Sequence, residues 1–215
     1  MTVPARATVS GPPVPARPVV PARPATARAA TTREGLLVAA REVFSASGFA
    51  EASIADVVSR AGASVGSLYH HFGGKADLYL ALFEEYQKHR EDEAAAAVRT
   101  ARLTETDPVK LFLAGSRAYL EGCWAERELA RTFLAGGGPP GFDLVARRRY
   151  REWTRRNASL LLAGRDEPWG DALVLVLTSV VSEAGHEVAV CEDEVTAHRL
   201  AVDVLTLIGR IGGAP

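Results

Sequence analysis

The sequence predicts an all-α fold of about nine helices, on three observations. From Thr32 onward, apolar residues recur at three- and four-residue intervals, the spacing that puts them on one face of a helix. No stretch alternates apolar with polar residues as a half-buried strand would. Ser, Asp, Gly and Pro mark where the periodic runs start and stop. A chain of 215 residues with 47% hydrophobic content can build a substantial core and is not disordered as a whole. Its formal net charge is only -1, so any affinity for nucleic acid must come from local arrangement.

Residues 1–30 stand apart. Pro-Ala-Arg recurs at Pro4, Pro15 and Pro21, and Arg6, Arg17, Arg23 and Arg28 have no acidic residue among them. Such a segment cannot bury a core and is expected to be a disordered or polyproline-like tail. As a basic arm it would add phosphate or minor-groove contacts; the alternative is a tail that takes no part. The first helix follows, with Leu36, Leu37, Ala40, Val43 and Phe44 on one face and a stop at Gly48.

The stretch from Ser53 to Phe72 reads as two short helices joined by a tight turn. That layout places a second helix in a DNA groove. Ser53 is an N-cap with Asp56 three residues on, a variant capping box. Gly62 ends the first short helix because the turn needs positive φ, and Ser64 caps the second, Val65 to His71. Barely two turns long, that helix depends on packing through Leu68 and Phe72, which leaves Ser67, Tyr69 and His70 to face out. The candidate DNA contacts are Ser53, Ser64, Val65, Gly66, Ser67, Tyr69, His70 and Lys75. Hydroxyls, helix N-terminal N–H groups and a Lys suit phosphate oxygens, and Gly66 permits close backbone approach. No Arg or Asn lies in the second helix, so specificity leans on His70, apolar contact and DNA shape.

Gly73-Gly74 breaks the chain before a long helix from Lys75. Its apolar positions Leu78, Leu82, Phe83 and Tyr86 give way to a charged, Ala-rich stretch from Lys88 to Arg99, read as a solvated connecting helix. Asp107-Pro108 starts the next helix, with Val109, Phe112, Leu113, Ser116, Tyr119 and Leu120 along one side to about Trp124. A further helix runs from about Glu126 to Leu134, and the Gly136–Gly141 run is a loop. Helix returns from Asp143 to about Ala163 with an acidic cap, again from Pro168 through Val190, apolar nearly all round, and last from about Asp193 to Ile211.

Taken together, Thr32-Arg33, Ala39-Ala40, Phe44, Gly48-Phe49, Ser53-Ile54, Asp56-Val57, Ala61-Gly62, Ser64, Gly66, Leu68-Tyr69, His71-Phe72, Lys75 and Leu78 resemble the N-terminal domain of TetR-type bacterial regulators. Two positions depart from the pattern: Val58 stands where that family usually has Ala, and Ala63 where it usually has Val, an exchange that conserves core volume. The resemblance implies a helix-turn-helix domain over 31–83 and a helical ligand-binding and dimerisation domain over 84–215. It implies that Tyr69 and Lys75 grip phosphates while Ser67 and His70 face the groove. It further implies a homodimer through the last two helices, bound to a pseudo-palindromic double-stranded operator. The protein would then be a transcription regulator, most often a repressor in that family, released by a small effector. Control by a protein partner or by dimerisation is the alternative.

Phe112, Tyr119, Trp124, Phe133, Phe142 and Trp153 concentrate aromatic mass in the middle of the chain, as core or as the wall of an effector pocket. Arg117 and Glu121 are the expected polar contacts of such a pocket, with an exposed ion pair as the alternative. An aromatic and aliphatic pocket with an Arg nearby suggests a hydrophobic effector, aromatic or anionic. The basic run Arg147–Arg156 wraps around its helix and reads as solvated; alternatively, one or two of these arginines pair with an anion in the cavity. Glu183, His186 and Glu187 read as a polar patch of the dimer interface rather than a metal site, and no cofactor is implied. The chain shows no Ser/His/Asp ordering and no phosphate loop ending in Lys-Ser/Thr, so an enzyme is not expected. Cys123 and Cys191 lack ligand spacing and read as reduced thiols. The longest apolar run, Ala172 to Val181, is short for a membrane span, and the N-terminus lacks a signal-peptide core, so a cytoplasmic location is expected.

Overall fold

Gly48 is where the first helix changes direction. In the computed structural model, which describes residues 25–134, 137–163 and 170–213, α1 (Ala25–Glu51) is interrupted at this glycine, whose φ of 70 lies in the left-handed region. Residues 1–24 of the expected tail lie outside the described residues, and the helix already begins at Ala25, earlier than the expected Thr32. Leu36, Leu37, Ala40, Val43 and Phe44 are all buried, as their spacing requires. α2 (Ile54–Ala61) and α3 (Val65–Phe72) follow, separated by Gly62 at φ 59. The Ala63 N–H donates to the Val58 carbonyl at 2.9 Å across this turn. Val58 is buried with Ala63 packed against its cluster, consistent with a volume exchange between them.

α4 (Lys75–Ala101) carries a stripe of buried residues: Leu78, Tyr79, Leu82, Phe83, Tyr86 and Arg90. Its last member corrects the expectation of a solvated middle, because Arg90 is only 2% exposed. α5 (Pro108–Ala125) packs along α4, and Asp107 caps it by accepting from the Val109 N–H at 2.9 Å. α6 (Arg127–Leu134) and α7 (Phe142–Leu161) come next. The cap of α7 is Gly141 in the left-handed region, so Asp143 lies inside the first turn, not at the cap. There its charge still favours the positive end of the helix dipole. α8 (Gly170–Val190) and α9 (Glu194–Ile211) close the chain, the latter capped by Asp193. The expected helix start at Pro168 lies outside the described residues, as does Gly136 of the Gly-rich loop.

Among the described residues there are nine helices and no strand, which agrees with the expected fold class. The apolar cluster that holds α1 to α4 together also contains Leu129, Ala130, Phe133, Phe142 and Ala189, so packing is continuous across the expected domain boundary at residue 83. Two further clusters join α5 to α7, α8 and α9. α8 corrects one reading: by length and composition it is long and apolar enough to cross a membrane. In this fold 44% of that window is buried, and the helix packs against α5, α6, α7 and α9.

Candidate nucleic-acid interface and central cavity

The two short helices are held by their own caps. Ser53 Oγ accepts from the N–H groups of Ala55 at 3.0 Å and Asp56 at 3.4 Å, and Ser64 Oγ accepts from the Ser67 N–H at 3.1 Å. Leu68 and Phe72 anchor α3 inward, with Arg33 over the Phe72 ring at 5.1 Å. Outward, Val65, Gly66, Tyr69 and His70 are exposed and Ser67 is partly so, which puts most of the expected contact residues on one accessible face. Lys75 departs from the expected phosphate-gripping pose. Its Nζ donates to the carbonyls of Ala50 at 3.0 Å and Ala52 at 2.9 Å, and lies over the Phe49 ring at 4.7 Å. The ammonium thus satisfies carbonyls left open at the end of α1 and ties α4 to them, an intramolecular role that takes up two of its donors.

Above α4 lies a cavity of about 400 Å³, walled by α4, α5, α6, α7 and α8. Phe83, Tyr86, Tyr119, Phe133, Phe142, Tyr150 and Trp153 give it an aromatic lining, with Arg90, Arg149 and His186 among its polar groups. A second cavity of about 310 Å³ adjoins it, and Tyr119 and Trp153, ring centroids 5.0 Å apart, line both. Of the expected pocket residues, Tyr119, Phe133 and Trp153 face the larger cavity and Phe112 the smaller. Arg117, Glu121 and Trp124 line neither. Arg117 and Glu121 are exposed because two residues on a helix turn through about 200°, away from Tyr119. Trp124 packs beneath the Arg127 guanidinium, 4.3 Å from its ring.

The run Arg147–Arg156 is divided: Arg149 and Arg156 reach across to acidic residues of α4, Arg149 to Glu84 and Arg156 to Glu91 at 2.5 Å. His186 lines the cavity, and its Nδ1 is 3.6 Å from Oε2 of exposed Glu183. Sequence reasoning missed Arg90, although it continues the stripe of Leu78, Leu82 and Tyr86 by one more turn.

Buried hydroxyl and thiol groups cluster at the base of the cavity. Tyr86 and Tyr119 are both pushed up by burial, and burial raises Cys123 to about 11. The Cys123 thiol therefore stays protonated at neutral pH and is a poor nucleophile. A thiol titration of the native protein with a disulfide reagent at pH 8 should show Cys191, half-buried, reacting quickly and Cys123 at least tenfold more slowly. Equal rates would show that the cavity base is open to the reagent.

Residues 36–82 match the sequence profile described as bacterial regulatory proteins, tetR family. That stretch carries the tetR-type helix-turn-helix domain. An 89-residue segment is 36% identical to the HTH-type transcriptional activator FasR of Mycolicibacterium smegmatis, covering 41% of this chain and 39% of that one. A 95-residue segment is 28% identical to the HTH-type transcriptional repressor BepR of Brucella suis, covering 44% of each. The matched segments thus span about two fifths of these curated relatives. Over most of its length the fold is that of a solved structure described as a SmeT–triclosan complex, with a TM-score of 0.70, 21% identity, and 84% and 90% of the two chains covered. The matched part of this chain is therefore the helix-turn-helix, DNA-binding part of such regulators.

Proposed function

We propose that the protein is a homodimeric repressor whose operator affinity falls when a small, largely hydrophobic effector occupies the cavity between α4, α5, α7 and α8. The observation that carries this reading is that α4 serves both halves. Its first turns hold Leu78, Tyr79 and Leu82 against α1 in the core of the recognition domain, and its later turns put Tyr86 and Arg90 on the cavity wall. A ligand that prefers one setting of α4 thereby prefers one placement of α3, and differential affinity for two states is what coupling requires. Residues 84–215 are the regulatory part in this reading. The triclosan complex of SmeT supports a hydrophobic effector, while FasR and BepR, an activator and a repressor by name, support either sign of regulation. Leu175, Val176 and Val180 on α8 and Leu207 and Ile211 on α9 are exposed, an apolar face that suits a four-helix interface with a second copy.

The test is a gel shift with DNA from the regions flanking the protein's own gene, comparing the native chain with Tyr69→Ala. Tyr69 is 52% exposed, so its truncation should cost under about 1 kcal/mol of stability. Loss of its phosphate contact should weaken operator binding about tenfold or more. No specific shift at any salt, together with no site from genome-wide selection, would sink the proposal.

A further inference from the structure

The larger cavity holds a charge that its aromatic walls do not require. Arg90 projects from α4 with its side chain 3% exposed, its guanidinium 5.6 Å from the centroid of the Tyr86 ring. Nη2 lies 2.9 Å from Glu93 Oε2 and 2.8 Å from Glu126 Oε2. Both carboxylate oxygens crowd this one nitrogen, and neither makes a hydrogen bond there. Nε and Nη1 are buried with no hydrogen-bond partner among the described residues. The fit is close on the α5 side, where a Cβ added at Gly122 would stand 1.9 Å from Nη1.

Buried donors without acceptors are costly, and a guanidinium fork is matched best by the paired oxygens of a carboxylate. The acidic residue on the cavity wall nearest this helix turn, Glu91, is already engaged by Arg156 at 2.5 Å. Arg90 is therefore the most deeply buried charged group on the wall, and two of its guanidinium nitrogens are unpaired among the described residues.

Resting on the cavity reading above, we propose that Arg90 is the anion subsite of this cavity. Its ligand is an organic carboxylate with an aromatic, apolar body, and that carboxylate competes with Glu126 for the guanidinium. Glu126 is also the ion-pair partner of Arg41 on α1, so the competition reaches the recognition domain directly. Occupying Arg90 with a ligand leaves the Glu126 carboxylate to Arg41 alone.

The experiment is isothermal titration calorimetry of the full chain with three matched probes: 2-naphthylacetate, 2-(2-naphthyl)ethanol and 2-(2-naphthyl)ethylamine. The carboxylate should bind about tenfold or more tighter than the alcohol, the value of one charge-assisted bond, and tighter still than the amine. Arg90→Gln should abolish that preference. Glu126→Gln should tighten the carboxylate severalfold by removing its competitor while leaving the alcohol unchanged, a gain that misfolding could not produce. Equal binding of all three probes, or no gain in Glu126→Gln, overturns the anion subsite and leaves an apolar cavity standing. Failure of all three to bind up to about 1 mM overturns the subsite and the effector reading together.

Discussion

Tyr79→Ala destabilises the whole chain by about 3–5 kcal/mol in urea or thermal unfolding. Tyr79 is fully buried on α4, where its ring meets Phe44 and Phe49 at 5.2 Å and Phe133 and Phe142 at 5.3 Å, all edge-on. Two of those neighbours belong to the recognition domain and two to α6 and α7, so one ring closes the core between them. Edge-to-face pairs add to the area term, and the surrounding rings cannot all collapse into the vacated space. Its hydroxyl donates to the Thr132 carbonyl at 3.0 Å, and burial raises that hydroxyl to about 12. Tyr79→Phe keeps the ring and loses this one bond, so it should cost about 1 kcal/mol. A cost below about 1 kcal/mol for Tyr79→Ala would mean that the recognition domain folds independently of the helices above it.

Gly66→Ala is expected to move stability and DNA binding in opposite directions. In the free protein, a Cβ at Gly66 meets nothing nearer than Ser64 Oγ at 3.9 Å, and the backbone there is ordinary helix. Ala should therefore stabilise α3 by up to about 1 kcal/mol. Gly66 lies on the exposed face shared with Tyr69 and His70, so a DNA backbone approaching that face would meet the added methyl. Operator affinity should fall about tenfold or more. A thermal melt and a gel shift on the same preparation read both signs. A melt that rises with unchanged DNA binding would place Gly66 away from the duplex.

The helix-turn-helix was legible because its signals are local. Ser53, Gly62 and Ser64 act within three residues of themselves, and the buried pair Leu68 and Phe72 follows from helical spacing alone. The site residues that escaped sequence reasoning depend on partners distant in the chain. Lys75 reads from the sequence as a phosphate ligand alone, and its hold on the Ala50 and Ala52 carbonyls is visible only in the fold. Arg117 and Glu121 look like pocket residues until the rotation of α5 turns Tyr119 inward and them outward. Arg90 sits in a stretch whose composition reads as solvated, and only the approach of Glu126 and Gly122 from α5 and its end makes it buried.

The sequence by itself determined the helices, their caps and the outward face of the recognition helix, because periodicity and capping are properties of neighbours along the chain. Only the tertiary structure decided the cavity, the continuity of the core through Tyr79 and the Arg41–Glu126–Arg90 chain of charges. Each of these joins residues tens of positions apart, and which side of a helix meets which neighbour depends on the packing of whole helices.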